Sequence, residues 1–410
     1  GALNQTQQYE QYLITGSDQN NVWSSIYATI LNDAENIITT ATKTQSPHYS
    51  GVAKILKAYT YQIAVDTWGS IPYSETQKLT ANTKPKYDTD SDIYTNIVKL
   101  LDEGIAEVSA TTSTISPGTN SNIFPGPFST TKNNWIKFAN TLKLRIFLHY
   151  SEKDAAFAKS KIDALIAGTT PFIASNADNF KMDFVNSAGA RNPIDQFETS
   201  RPNYLVANAK LVGMMNTKTD PRRQFYFTQY PAASGLFVGA VGGAASNAAL
   251  YSKLHTYLRG TLSGTSYSGD APIRMLTFAE YNFIRAEAAL RFSSTGNAET
   301  FFQAGITASM QEAGVAARHA LQRGAGGGEG GRAAELGGPG VTVDPGLAAV
   351  ADLDQDELAL QRGPDRQRAA LGPDAKGGVR LAFLVRGREG GRVMLRFSVR
   401  DTGIGVPDAA

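Results

Sequence analysis

The stretch GVAKILKAYTYQIAVDTWGSIPYSE (residues 51–75) decides the fold. Its apolar side chains recur at the spacing of one helical face, i, i+3, i+4, i+7 and i+11: Val52, Ile55, Leu56, Tyr59 and Ile63. Gly69 and Pro72 follow. They predict the end of the helix, because Gly frays a helix and Pro lacks the N–H donor that would continue it.

Four further windows predict helices. The second helix is preceded by Thr89–Asp92, which resembles a capping box, and its apolar face is Ile93, Ile97, Leu100, Leu101, Ile105 and Val108. The third runs from Trp135 to His149 and is apolar on most faces, so we expect deep burial. The fourth and fifth are predicted over Pro272–Phe292 and Asn297–Met310. The fold class is therefore mainly α.

Long segments rich in Ser, Thr, Asn, Gly and Pro separate the predicted helices at residues 110–130, 168–200 and 217–270. Loops of this length in a compact domain are usually functional or disordered. The last segment is too aromatic for a disordered linker. Its rings are Phe225, Tyr226, Phe227, Tyr230, Phe237, Tyr251, Tyr257 and Tyr267. We expect it to be ordered and partly exposed.

Several segments carry a family resemblance. AVDTWGSIPYSE (residues 64–75) and VWSSIYATILNDAENII (residues 22–38) resemble SusD-like (SusD/RagB) outer-membrane glycan-binding lipoproteins. Three later segments follow in the family's order: TDPRRQFYF (residues 219–227), LFVGAVGG (residues 236–243) and MLTFAEYNFIRAEAALR (residues 275–291). GITASMQEAGV (residues 305–315) also fits, so the resemblance covers about residues 5–315.

This resemblance implies a tetratricopeptide-like helical scaffold with a long, loop-rich part that bears the ligand site. It implies a surface-exposed protein that binds oligosaccharides and delivers them to a SusC-like TonB-dependent transporter. The protein would sit at the cell outer membrane, and the family's lipidated Cys would precede Gly1. No catalysis and no cofactor are expected.

Sugars bind by stacking their apolar faces on aromatic rings, while amide and charged groups fix the hydroxyls. The candidate ligand-binding residues are Phe197, Arg201, Tyr204, Tyr226, Tyr230, Phe237 and Tyr267. The alternative for any single ring is that it only packs its loop. Trp23, Tyr27, Trp68 and Trp135 lie on helical stripes or at a helix end and are expected in the core.

Composition excludes several other classes of function. A formal charge of +2 argues against a nucleic-acid surface. There is no Cys, and no apolar run is long enough for a membrane helix. No metal-binding or catalytic motif is present: Asp88, Asp90 and Asp92 start like a calcium loop, but Ile93 stands where Gly is needed.

The composition changes near residue 315. Residues 1–315 contain all 17 Tyr and all 3 Trp, whereas residues 316–410 contain 19 of the 39 Gly. We therefore expect two parts: residues 1–315, which would form the glycan-binding domain that the resemblance implies, incomplete at its C-terminal end, and residues 316–410, a foreign-looking Gly- and Arg-rich tail. Within this tail, residues 379–385 and 393–399 alternate apolar and other side chains around a Gly-rich loop, which predicts a β-hairpin.

About residues 350–410 carry a second resemblance, to a truncated ATP-binding domain of sensor histidine kinases, beginning with LDQDELALQR (residues 353–362). GRVMLRFSVRDTGIGVPDAA (residues 391–410) is similar to part of the ATP-binding domain of sensor histidine kinases, where Asp401 would read adenine and Gly403 and Gly405 would approach the nucleotide. The magnesium-holding Asn of that family has no counterpart. An ATP-binding fragment is thus one alternative function, and a helical-repeat adaptor for a protein partner is another. We expect the tail to originate in sequence assembly rather than in an evolved fusion.

Overall fold

A computed structural model describes residues 5–119, 121–244, 247–316, 379–389 and 392–401. Its α-helices are α1 (Gln5–Glu10), α2 (Asn20–Ser24), α3 (Leu31–Lys43), α4 (Pro47–Trp68), α5 (Asp90–Val108), α6 (Phe128–His149), α7 (Ala155–Ala167), α8 (Pro193–Ser200), α9 (Ala209–Thr217), α10 (Arg223–Tyr226), α11 (Thr256–Arg259), α12 (Phe278–Phe292) and α13 (Ala298–Glu312). Its strands are β1 (Ile71–Pro72), β2 (Tyr87–Asp88), β3 (Phe180–Met182), β4 (Leu262–Ser263), β5 (Ser266–Tyr267), β6 (Ile273–Leu276), β7 (Val379–Glu389) and β8 (Arg392–Asp401). The predicted mainly α fold is confirmed.

The helix in the deciding stretch is α4, and it ends where the sequence predicts. The Gly69 N–H donates to the Val65 carbonyl at 2.9 Å, and the chain then turns into β1. The buried face is shifted from the predicted stripe. Ile55 and Tyr61 are buried, whereas Ile63 is 40% exposed. Small residues such as Ala58 bring the neighbouring helices close to α4, so the core face includes positions that an apolar stripe does not mark.

Helices α4 and α5 touch backbone to backbone at two glycines. A Cβ added to Gly51 would lie 2.7 Å from the carbonyl oxygen of Gly104. A Cβ added to Gly104 would lie 2.8 Å from Cγ1 of Ile55. Both positions therefore need glycine for steric reasons. The close contact lets the apolar face of α5, with Ile93 and Ile97 fully buried, form a single core with α4.

The segment Val22–Ile38, which carries the family resemblance, is helical in three parts. Helix α2 continues through a π-helical turn (Ser25–Ile30) into α3. Trp23 stacks near Tyr27, with ring centres 4.6 Å apart, and both pack against the core as expected. Trp68 and Trp135 also belong to this core or pack on it.

The fourth predicted helix is wrong in its first turn. Residues 273–276 form strand β6, which pairs antiparallel with β3. The helix starts after Thr277, whose side chain accepts a hydrogen bond from the Glu280 N–H at 3.2 Å. A Thr in the N-cap position stops the helix from extending backwards.

Glu280 pairs across the scaffold rather than along its own helix. Arg145 of α6 donates from Nε to Glu280 Oε1 at 2.7 Å and from Nη2 to Oε2 at 2.8 Å. Arg285 on the same helix donates instead to the Tyr281 hydroxyl and the Thr295 carbonyl. Glu287 pairs along the helix with Arg291 at 2.8 Å.

Residues 207–254 carry a small core of their own. Phe227 and Phe237 pack there with Ala207, Val212 and Met215. A parallel bridge between Asn208 and Ala240 joins its two sides. This second core holds the long aromatic segment in place without long helices.

The chain divides into two units, Gly1–Leu321 and Gln322–Ala410. In the second unit, β7 and β8 pair antiparallel with Phe383 opposite Phe397, so the predicted hairpin is confirmed. The low-complexity segment, Gly403 and Gly405 lie outside the described residues. Among the helices that the structure describes, none is long and apolar enough to span a membrane.

Candidate functional site

Helix α8 organises the loop-rich part of the molecule. Asn192 caps it by accepting the Ile194 N–H at 2.8 Å, and the Asn192 amide donates to the Ala271 carbonyl at 2.7 Å. Pro193 occupies the first helical turn, where its fixed φ suits a helix start. These contacts hold α8 against the segment before β6, and so fix the positions of the α8 side chains.

Asp195 is the buried centre of this region. Its side chain has no exposed surface and bridges two arginines. Arg191 Nη2 donates to Asp195 Oδ2 at 2.6 Å, and Arg259 Nε donates to Oδ1 at 2.9 Å. Since a buried charge is stable only when paired, this triad fixes α8 against α11.

Phe197, Arg201 and Tyr204 are brought together at the end of α8. The Phe197 and Tyr204 rings meet edge to face with centres 5.1 Å apart. The Arg201 guanidinium carbon lies 5.0 Å from the Phe197 ring centre. Both rings are half-buried and Arg201 is exposed, without a carboxylate partner among the described residues. The group offers aromatic surface and a cation at one place.

Tyr267 is held beside this helix by the Asp195 triad. The Arg259 guanidinium carbon lies 4.1 Å from the Tyr267 ring centre. The Tyr267 hydroxyl and His255 Nδ1 are 2.7 Å apart. Burial, together with the nearby Arg259 charge, lowers the pKa of His255, and burial raises the pKa of Tyr267. Both groups are therefore neutral near pH 7, which lets the Tyr267 hydroxyl donate to an unprotonated His255 Nδ1.

Tyr226 lies in a second aromatic pair, with Tyr257 of the same aromatic segment. Its ring centre is 4.5 Å from that of Tyr257. The Arg274 guanidinium carbon lies 3.8 Å from the centre of the Tyr257 ring, and Arg274 Nε pairs with Glu312 Oε1 at 2.7 Å. Burial raises the pKa of Tyr257 to about 12. Sequence spacing gave no sign of this pair, because Tyr226 and Tyr257 meet only through the packing of α10 on α11.

Two predicted residues fall outside these groups. Phe237 is 7% exposed and lies in the small core with Phe227, so its ring has no face for a ligand. Phe237 therefore packs the core, and its prediction as a ligand-binding residue is wrong. Tyr230 is half-buried and makes no ring–ring contact within the described residues. Its N–H donates to the Leu236 carbonyl at 3.0 Å, which closes a tight loop.

Buried Glu198 and half-buried Lys253 lie near this site. Glu198 is 4% exposed and accepts the Leu205 N–H at 2.8 Å. Burial raises the pKa of Glu198 and lowers that of Lys253. The Glu198 hydrogen bond holds the turn that carries Tyr204, so this carboxylate serves the geometry of the aromatic group.

The structure also contains cavities that our sequence analysis missed. One, of about 610 Å³, lies between the N-terminal segment and residues 208–242. Its lining is Tyr9, Glu10, Tyr12, Asn208, Ala209, Lys210, Val241 and Gly242. The two sides are some 200 positions apart in sequence, so no local pattern could have joined them. A second, of about 390 Å³, is lined by polar side chains around His48 and Lys132.

No group of His, Asp and Glu among the described residues has the arrangement of a metal site. The three aspartates that resemble a calcium loop all have other partners. Asp88 accepts the N–H groups of Tyr73 and Ser74, Asp90 pairs with Lys153 at 3.0 Å, and Asp92 accepts the Thr89 hydroxyl at 2.8 Å.

Comparison with known proteins decides the family. Residues 2–321 match the model of the SusD-like family described as "Starch-binding associating with outer membrane". The chain belongs to the SusD-like family. The resemblance found in its motifs is confirmed. The resemblance of about residues 350–410 to sensor histidine kinases is not supported.

Solved structures of SusD-like proteins share this fold. A chitin-binding SusD homologue from Flavobacterium johnsoniae is 25% identical with a TM-score of 0.61, over 73% of this chain and 60% of that chain. A SusD-like protein from Bacteroides thetaiotaomicron is 26% identical with a TM-score of 0.63, over 78% and 64%. The tetratricopeptide-like scaffold is thus confirmed.

This SusD-like chain spans about 60% of the length of the Flavobacterium homologue. A further chitin-binding protein, 23% identical with a TM-score of 0.66, supports the fold alone. A comparison with curated proteins finds no match.

Proposed function

We propose that this SusD-like protein binds glycans at the cell surface through the aromatic group at the end of α8. The observation that carries the proposal is the meeting of Phe197, Tyr204 and Arg201, with ring centres 5.1 Å apart and the guanidinium 5.0 Å from Phe197. Half-buried rings retain an accessible face while their edges are fixed by packing. Arg201 supplies donors for sugar hydroxyls or amide oxygens.

Tyr267 extends this surface. The ring is fixed on one side by Arg259 and at its hydroxyl by His255. A preorganised ring binds a sugar face more tightly than a mobile one, because less side-chain entropy is lost on binding. We propose Tyr226 and Tyr230 as outlying contacts for longer chains, since neither joins the Phe197 group.

The first glycans to test follow from the relatives. The Flavobacterium homologue is described as chitin-binding, and the family description names starch. We propose that the ligand is a neutral oligosaccharide of one of these two kinds. Aromatic stacking suits both, so the choice depends on whether the amide of an N-acetyl group or a ring hydroxyl meets Arg201.

The wider role follows from membership of the family. We propose a surface-exposed, lipid-anchored protein of the outer membrane that passes oligosaccharides to a SusC-like TonB-dependent transporter and has no catalysis of its own. Co-purification of the full chain with such a transporter from outer membranes tests the partnership. A purified chain that hydrolyses the bound oligosaccharide would contradict the non-catalytic role.

Titration of the purified chain with chito-oligosaccharides and malto-oligosaccharides of three to six units tests the binding. We expect saturable binding of one series and a loss of about tenfold in affinity for Phe197→Ala, which corresponds to about 1.4 kcal/mol. A chain that binds neither series, or a Phe197→Ala variant with unchanged affinity, would contradict the proposed site.

A further inference from the structure

The N-terminal segment is fastened to the turn at residues 242–243. Glu10 Oε2 accepts the Gly243 N–H at 2.7 Å, and the Gln11 side-chain amide donates to the Gly243 carbonyl at 2.5 Å. Gly243 has φ +71°, and a Cβ there would lie 2.7 Å from Cγ of Gln11. Only glycine permits this conformation together with this approach. The fastening closes one wall of the 610 Å³ cavity.

The cavity combines the groups that sugar recognition needs. Tyr12 lines it with a side chain that is 64% exposed, on a backbone with φ +60°, which is uncommon for a bulky residue. Backbone strain of this kind persists only where surrounding contacts impose it. An exposed ring with an accessible face in a cleft is a stacking platform for a sugar.

Polar groups line the same cavity. The Lys210 ammonium has no hydrogen-bond or ion-pair partner among the residues that the structure describes. Asn208 accepts the Lys210 N–H at 2.9 Å through Oδ1, which leaves its amide protons for another acceptor. Glu10 uses only Oε2 in the fastening. The cavity thus contains hydrogen-bond donors and an acceptor together with one aromatic ring.

We propose that this cavity is a second glycan-binding site that takes one or two sugar units. Tyr12 stacks on the sugar ring, while Lys210, Asn208 and Glu10 bind its hydroxyl groups. The volume lies within the about 300–1,000 Å³ of small-molecule sites. The site shares no residue with the Phe197 group, so separate substitutions can test the two sites. That the ligand of this site is a sugar rests on the proposed function, whereas the position of the site rests on the cavity alone.

Titration calorimetry with N,N′,N″-triacetylchitotriose and maltotriose, combined with hydrogen exchange, tests this second site. For the wild-type chain we expect two sites and ligand-induced protection of amides in residues 8–14 and 208–214. Tyr12→Ala and Lys210→Ala should each weaken this site at least tenfold and remove that protection. Lys210→Ala changes only an exposed side chain, so it keeps the test valid if Tyr12→Ala fails to fold.

Tyr87→Ala is the matched control, because Tyr87 is also 64% exposed and lies on β2, outside the cavity. It should keep both sites. If both cavity variants bind with wild-type stoichiometry and affinity, the second site is refuted while the Phe197 site stands. If binding survives Phe197→Ala but is lost in Lys210→Ala, the Phe197 site is refuted and the cavity is supported. A wild-type chain that binds neither sugar refutes both.

Discussion

The guanidinium carbon of Arg259 lies 4.1 Å from the centre of the Tyr267 ring. The same guanidinium donates to the fully buried Asp195 on α8, the helix that carries Phe197. A charge that is out of contact with solvent thus connects two of the proposed sugar-binding rings. Their relative position depends on the triad as much as on the rings themselves.

Asp195→Asn should destabilise the protein and weaken glycan binding together. The change leaves two arginines without their shared carboxylate, and loss of one partner from a buried pair costs about 3–5 kcal/mol. We expect a loss of stability near the lower end of this range, because the Arg191 and Arg259 side chains remain partly exposed to solvent. Chemical denaturation measures it.

Asp183→Asn is the control for that change. Asp183 pairs with Lys181 at 3.6 Å, and both side chains are partly exposed. An exposed pair contributes about 0–1 kcal/mol. Equal losses of stability in the two variants would show that Asp195 has no special structural role.

Gly51→Ala should destabilise the helical scaffold by about 1–3 kcal/mol. Its Cβ would lie 2.7 Å from both the Gly104 carbonyl oxygen and the Val108 nitrogen, so α4 and α5 must move apart. Gly213→Ala is the matched control, because an added Cβ there meets no atom within 4 Å in α9. That change should stabilise the chain by about 0.5–1 kcal/mol. A Gly51→Ala variant as stable as wild type would contradict the described contact.

The stability of the loop-rich part should fall at acid pH through His255. Burial and Arg259 lower its pKa in the folded chain below the usual value of about 6.5. The unfolded chain therefore binds the proton more readily. The stabilisation from neutral His255 is complete above about pH 6.5 and is lost as the pH falls through the folded pKa. Unfolding measured from pH 8 to pH 5 should show a smaller decrease for His255→Gln than for wild type. The same decrease in both chains would rule out His255 as its source.

Phe197→Ala should reduce glycan affinity far more than Phe157→Ala. Both substitutions remove one phenyl ring, but Phe157 lies on α7, is 40% exposed, and belongs to the helical scaffold. The first change removes the proposed stacking face, and the second should leave binding unchanged. A comparable loss in both would mean that binding follows general stability rather than this site.

The sequence predicts the scaffold well because its periodic signals are local. The apolar stripe of α5 and the Gly69 turn appear in the structure as expected. The fourth helix was predicted too long because a strand of four residues, β6, carries no periodicity that separates it from a helix start. Its pairing with β3, some 90 residues earlier, is a long-range interaction.

The candidate site was less predictable. Phe197, Arg201 and Tyr204 are close in sequence and meet in space. Tyr257 and the Tyr12 cavity depend on packing between distant segments, which residue types alone do not reveal. For Phe237 the residue type was misleading, because this aromatic side chain in a polar loop is buried in the core of that loop.

The most direct test of the central claim is calorimetric titration of one variant, Phe197→Ala with Tyr204→Ala and Tyr267→Ala, against the oligosaccharide that the wild-type chain binds. The proposed function predicts that the triple variant keeps a cooperative unfolding transition and loses binding at the α8 site, by at least a hundredfold in affinity, or about 2.7 kcal/mol. Wild-type affinity and stoichiometry in a folded triple variant would contradict it.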